Sequence, residues 1–400
     1  MDLLGGAPYW PIADGLPAAY PPLDRDVRCA VAIIGAGVTG ALLADSLADA
    51  GLDVVVLDRR DVATGSTAAS TALLQYEVDV ELQALMELIG PGDAVRAYQL
   101  LVEAVQGIER LVGELGDDCG FSRKSSLYLA SRRGDADRLE REVELRTAHG
   151  LPAEFWDRKR ITQSYAIRAP AAIRCNVAGQ IDPYRFAHRL LARARQRGAR
   201  IFDRTALTSV EHHDGGVSIG TGRKHTVRAD RIIYALGYEV PAPLRQDLVS
   251  LHSSYAIVTE PVAHFEGWDD RCLIWETARP YLYLRSTSDG RVIVGGEDEP
   301  FRDPRRRDRL IEKKAARLAR RLARMLPGLH CEPAFAWAGT FGESKDGLPF
   351  IGPSEGFPNG LFALGYGANG ITFGMIAARI LTDLCVGTPN EDARIFRLSR

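Results

Sequence analysis

The chain has 400 residues, 46% of them hydrophobic and 26% charged, enough apolar mass for the cores of two or three domains; a disordered chain or a minimal disulfide scaffold is excluded. Fifty basic residues stand against 52 acidic ones, a formal net charge of -2, so there is no global field of the kind that holds nucleic acid, and a small, roughly neutral partner is the default. Six widely separated cysteines form no CxxC pair, so neither a zinc ribbon nor a dense disulfide frame can be drawn, no metal site is expected, and cytoplasmic thiols are the plain reading.

Residues 1–25 are rich in Pro, Gly and Ala and lack periodicity, so they read as an extended lead-in that packs through Tyr9 and Trp10. Asp2 and Asp14 stand where a signal peptide needs a basic start, and no run reaches the roughly 18 apolar residues of a spanning helix. Residues 31–34 and 54–57 are continuous apolar runs on either side of a helical pattern over 38–50, which predicts a parallel strand, helix, strand unit. Apolar spacings of three and four predict two helices between 81 and 115, split at Pro91, then a strand at 126–130 and a charged helix over 135–149. Asp182 is placed to cap a helix over 183–198, and strands return at 200–202, 208–211, 217–219 and 231–234. Three strand-like runs, 255–259, 281–284 and 292–294, predict an antiparallel platform. An arginine-rich helix over 305–326 carries one apolar line through Ile311, Ala315, Leu318, Leu322 and Met325, and its basic face reads as solvated surface rather than a nucleic-acid site.

Gly35, Gly37 and Gly40 form GxGxxG between the first strand and its helix, and Asp58 ends the second strand. In such a unit the first glycine permits a tight turn, the second lets backbone approach a pyrophosphate and the third lets helix pack on strand. The helix start at Val38 and Thr39 supplies N–H groups to the phosphates, and the terminal acid accepts from an adenosine ribose. A dinucleotide is the inference, and the fingerprint leaves FAD and NAD open. A second GxGxxG, Gly365, Gly367 and Gly370, is followed by one helix and no strand or acid, so it is a glycine turn into a helix N-terminus that can stabilise negative charge, not a second dinucleotide unit.

The order of the pieces VAIIGAGVTG with Asp58, the turn Gly65, Ser66, Thr67, the strand ending Ala235, Leu236, Gly237, then WAGTFGESKDGLPFIG and GYGANGIT resembles the FAD-dependent D-amino-acid oxidase superfamily, in the branch with glycine, sarcosine and gamma-glutamylputrescine oxidases. The resemblance runs from about Val27 to the end. It implies an α/β protein: a Rossmann-like FAD-binding domain from 26–80, 181–245 and 335–395, interleaved with an α+β substrate domain from 81–180 and 246–334 built on an antiparallel sheet. It implies that Arg59, Ser66, Thr67, Leu207 and Gly237 join the glycine turn around FAD, and that Gly367, Asn369, Gly370, Ile371 and Thr372 line the pyrimidine edge of its ring. Relatives that bind flavin covalently use a cysteine or histidine where this chain has Gly339 and Ala69, so FAD is expected to be non-covalent.

The family arginine that pairs with a substrate carboxylate near 338–342 is missing here, with Arg279 or Arg285 as possible substitutes from the platform. Tyr255, Trp275, Tyr281 and Tyr283 are candidates for the substrate wall, since aromatic rings cage amines. The reading is oxidation of the C–N bond of a small amine or N-substituted amino acid to an imine, with a hydride equivalent passing to flavin N5. Ile293 falls where sarcosine oxidases carry a lysine that assists oxygen, which leaves oxygen or another electron acceptor open, with Lys345 as the nearest lysine. The rivals are a dehydrogenase serving a quinone or partner protein, and a flavin-binding interaction protein docking through the basic helix.

Overall fold

The computed structural model describes residues 2–239, 244, 248–268, 270–329 and 331–400. Among them two large sheets organise the chain, one of eight strands and one of ten.

The eight-stranded sheet grows from the glycine fingerprint. Val27–Ile34 lies between Thr226–Gly237 and Val54–Leu57, all parallel, with Arg200–Phe202 beyond and Gly360–Leu364 on the other flank. All four residues of Val54–Leu57 are buried, as a parallel strand covered on both faces requires. Val31, Ile33, Val54 and Val56 face a core shared with helices Val38–Asp49, Pro183–Gln196 and Gly370–Val386. Their neighbours Ala32, Ile34, Val55 and Leu57 face a second core, closed by Val217 and Ile219 of the ribbon Leu207–His213/Gly216–Thr221. The predicted cap is present: Asp182 accepts from the backbone N–H groups of Tyr184 and Arg185.

The ten-stranded sheet contains the expected antiparallel platform, Ser250–Thr259 beside Val292–Glu299 beside Leu282–Ser286. Leu273–Glu276 continues it and pairs in parallel with Ser122–Leu129, so the sheet is mixed. Sheet membership departs from the expected segment boundaries in two places. Pro333–Glu343 pairs with Ser250–Thr259, so the boundary at 335 falls inside a platform strand, and Leu73–Gln75, expected with the fingerprint, pairs with Ala171–Gln180 of the larger sheet. The boundary at 245/246 lies outside the described residues.

The arginine-rich segment is two helices, Pro304–Arg309 and Ile311–Met325, broken at Leu310. Leu318 and Leu322 pack on the platform, while Lys314, Arg317 and Arg321 are ion-paired to Glu297, so much of the basic charge is bound to the sheet beneath. The lead-in does pack through Tyr9 and Trp10, but it is not merely extended: Leu4–Gly6 pairs with Pro333–Glu343 and Tyr9–Asp14 is a short helix. No helix among the described residues is long and apolar enough to cross a membrane.

Candidate functional site

Between the two sheets lies a cavity of about 1090 Å3, lined at one end by the glycine turn and at the other by the platform. Such clefts between structural units are where cofactor sites are expected.

At the fingerprint end the three glycines do different work. Gly35 has φ +106°, and a Cβ there would overlap the carbonyl oxygen of Ala235. A Cβ at Gly40 would overlap the carbonyl of Gly35, because this is where helix meets strand. Gly37 differs: a Cβ would meet only the Thr67 hydroxyl at 3.1 Å, and the residue faces the cavity. Val38 donates its backbone N–H to Thr67 Oγ1 at 2.9 Å, and Val38–Asp49 has no side-chain cap, so the rest of its first turn is available to an anion. Ser66 Oγ, beside it on the lining, is buried without a hydrogen-bond partner among the described residues. An uncapped helix start and an orphaned hydroxyl facing one cavity fit a pyrophosphate.

Asp58 closes the turn by accepting from the backbone N–H groups of Ala36 at 2.7 Å and Arg60 at 2.8 Å. Burial pushes its carboxyl up, and those two N–H groups pull it back. Thr39, Arg59, Leu207 and Gly237 also line this end, with Arg59 ion-paired to Glu239. Farther along, Gly367, Asn369, Gly370 and Ile371 line the cavity at the start of Gly370–Val386, a second helix without a side-chain cap. Asn369 ties this turn to the opposite loop by donating from Nδ2 to the carbonyls of Gln75 and Glu77. Gly40 lies behind the turn and off the cavity lining, packing helix on strand as its place in the motif implies. One expected contact is corrected: the Thr372 hydroxyl turns back to donate to the Asn369 carbonyl, and the residue does not line the cavity.

The platform end holds Tyr281 and Tyr283, ring centroids 5.5 Å apart, together with Trp275. Tyr283 lies over Gly295, where any side chain would collide with its ring. Tyr255 touches the cavity wall, but its ring belongs to the core on the other face of the sheet, with Lys314 Nζ 5.4 Å from its centroid. Strand alternation explains this: Ser254 and Ala256 face the cavity, and Tyr255 does not. Arg285 is likewise corrected. It is 2% exposed, does not line the cavity, and donates to the carbonyls of Ala72 and Ile181 beneath the Trp10 ring, with burial lowering its guanidinium to about 9.

Sequence reasoning missed three carboxylates on this lining, Glu77, Asp79 and Asp298. Burial pushes Asp79 up to about 6; Arg279 pulls it down and Glu343 pushes it up. Burial also raises Asp298 to about 6, against a hydrogen bond from Ser254, with Asp79 and Glu343 adding to the rise. Asp298 follows the Gly295–Gly296 pair, where the register between Ser250–Thr259 and Val292–Glu299 shifts. The bulge turns Glu297 toward Lys314 and leaves Asp298 on the cavity side. A bulge of this kind has no period-2 signal, though paired glycines inside a strand run were a hint.

A family model described as FAD dependent oxidoreductase (DAO) matches residues 30–384. Glycine oxidase of Bacillus licheniformis is 26% identical over 89% of this chain and 93% of its own length. Gamma-glutamylputrescine oxidoreductase of Escherichia coli is 25% identical over 92% of this chain and 86% of its own. The crystal structure of glycine oxidase from Geobacillus kaustophilus superposes with a TM-score of 0.79 at 20% identity, covering 94% of this chain and 99% of that one, a likeness of fold.

Proposed function

The chain belongs to the DAO family of FAD-dependent oxidoreductases, and from that premise we propose that it oxidises the C–N bond of a small amine or N-substituted amino acid to an imine, which water hydrolyses to a carbonyl compound and an amine. Bound FAD supplies the two-electron acceptor for the hydride equivalent leaving the carbon next to nitrogen. Gly37, Val38, Ser66 and Thr67 would hold its pyrophosphate, Asp58 its ribose, and the uncapped start of Gly370–Val386 the edge where negative charge collects on reduction.

One observation carries the choice of substrate: the platform end offers Tyr281, Tyr283, Asp79 and Asp298, whereas the Arg285 guanidinium is spent on backbone carbonyls and the lining arginine at this end, Arg302, is exposed. A plain α-amino acid buried there would set its carboxylate against two others, and an unpaired buried ion costs several kcal/mol. An amine meets aromatic faces and acceptor oxygens instead. The tyrosines orient the substrate and exclude water, and no dedicated base is needed once the amine is neutral. The two relatives named above act on an amino acid and on an amine by their names, which is consistent with either end of this range.

Anaerobic mixing of the yellow protein with a panel of amines, N-alkyl glycines and free amino acids tests the reading. Bleaching by amines or N-alkyl glycines in preference to glycine and D-alanine is expected. Efficient bleaching by D-alanine or glycine contradicts it.

A further inference from the structure

We propose that the substrate carries a second, cationic nitrogen, and that Asp298, supported by Asp79, binds it while the other nitrogen is the one oxidised. The substrate class is therefore a diamine with one N-substituted end. The inference rests on the amine reading above and deepens it.

Four observations converge. Asp298 Oδ1 is buried and has no hydrogen-bond partner among the described residues. Glu77, 2% exposed on the same lining, has an equally unpartnered Oε2, although Arg146 lies 3.9 Å from its other oxygen and offsets its charge. Asp79 has the exposed Arg279 guanidinium 3.7 Å away, and the same guanidinium is the least of the influences on Asp298, which makes no ion pair among the described residues. Tyr281 and Tyr283 stand at the same end of the cavity and give an alkylammonium two aromatic rings to pass.

Among the described residues the lining cation at this end is Arg302, which is exposed and makes no ion pair with Asp298. A monoamine would leave the Asp298 charge buried and unmatched. A diamine supplies the match and gains a charge-assisted hydrogen bond that the monoamine lacks.

The test compares N-methylputrescine with N-methylbutylamine, which has the same reacting end and chain length but no second charge. Anaerobic flavin reduction should give the diamine a Kd lower by roughly tenfold to a hundredfold, the range expected of one charge-assisted contact. Asp298→Asn, nearly isosteric, should collapse that ratio to within about threefold, and Asp79→Asn should reduce it less. A binding measurement needs no turnover: the spectrum of bound FAD should respond to a bis-quaternary butane-1,4-diammonium salt at much lower concentration than to butyltrimethylammonium. Equal Kd values for the two amines in the unaltered protein overturn the inference and leave amine oxidation standing. If no amine bleaches the flavin, amine oxidation falls. The quaternary pair then still decides whether the cavity selects a second cation, and equal responses to the two salts overturn the inference.

Discussion

Gly37 and Gly40 stand three positions apart in one motif, yet their neighbours assign them opposite consequences. A side chain at 40 strikes the Gly35 carbonyl, so Gly40→Ala should cost roughly 1–3 kcal/mol or more of stability, read as a lower denaturant midpoint. A side chain at 37 points into the cavity beside Thr67, so Gly37→Val should fold, by circular dichroism, and emerge without FAD. A Gly37→Val protein that keeps stoichiometric FAD would refute the assignment of this turn to the pyrophosphate. Ala69 and Gly339 touch the cavity, and among the described residues its lining contains neither cysteine nor histidine, so acid precipitation should leave the yellow colour in the supernatant. Colour that stays with the pellet would mean a covalent bond. These residues were legible because a glycine turn leaves a fixed spacing. Asp298, Asp79 and the true surroundings of Arg285 were not, because each depends on which segment lies opposite. Arg285 shares a sheet face with Tyr281 and Tyr283 by alternation, and only the arrival of Trp10 and the Ala72 carbonyl seals it away from the cavity.

Among the elements, helix Pro183–Gln196 carries a titration of its own. His188 is 2% exposed, neither ring nitrogen has a partner among the described residues, and burial lowers its pKa to about 4. The unfolded chain takes up this proton near pH 6.5 and the folded one only near 4, so stability is lost as pH falls through that window. His188→Leu should therefore lessen the drop in Tm between pH 7 and 4.5; an unchanged drop would place acid sensitivity elsewhere. The helix was readable from Asp182 and its apolar stripe, as were the split at Pro91 and the apolar runs of the fingerprint sheet. The strands Leu73–Gln75, Glu154–Asp157 and Ala171–Gln180 were not, since short or partly polar strands are stabilised by their partners across the sheet more than by their own pattern. The break at Leu310 also escaped, because no glycine or proline marks it.

At the scale of the whole molecule, the question is what removes the electrons. Ile293 is fully buried, no lysine among the described residues lines the cavity, and Lys345 is exposed outside it. A fixed positive charge beside reduced flavin lowers the barrier to electron transfer to oxygen. The substrate-reduced protein should thus reoxidise slowly when mixed with oxygen in a stopped-flow instrument. Rapid reoxidation that survives Lys345→Met would return the protein to the ordinary oxidases. The two sheets also meet at the first residues of the chain. Leu4–Gly6 covers the edge of Pro333–Glu343, Trp10 Nε1 donates to the Ser70 carbonyl, and Trp337 Nε1 donates to the Ala69 carbonyl, so the turn bearing Ser66 and Thr67 is held from both sides. An uncovered strand edge invites pairing with another chain. Proteolytic trimming of the first dozen residues in storage would loosen the grip on the cofactor and bare that edge in one cut, and a sample so damaged would turn pale and cloudy together.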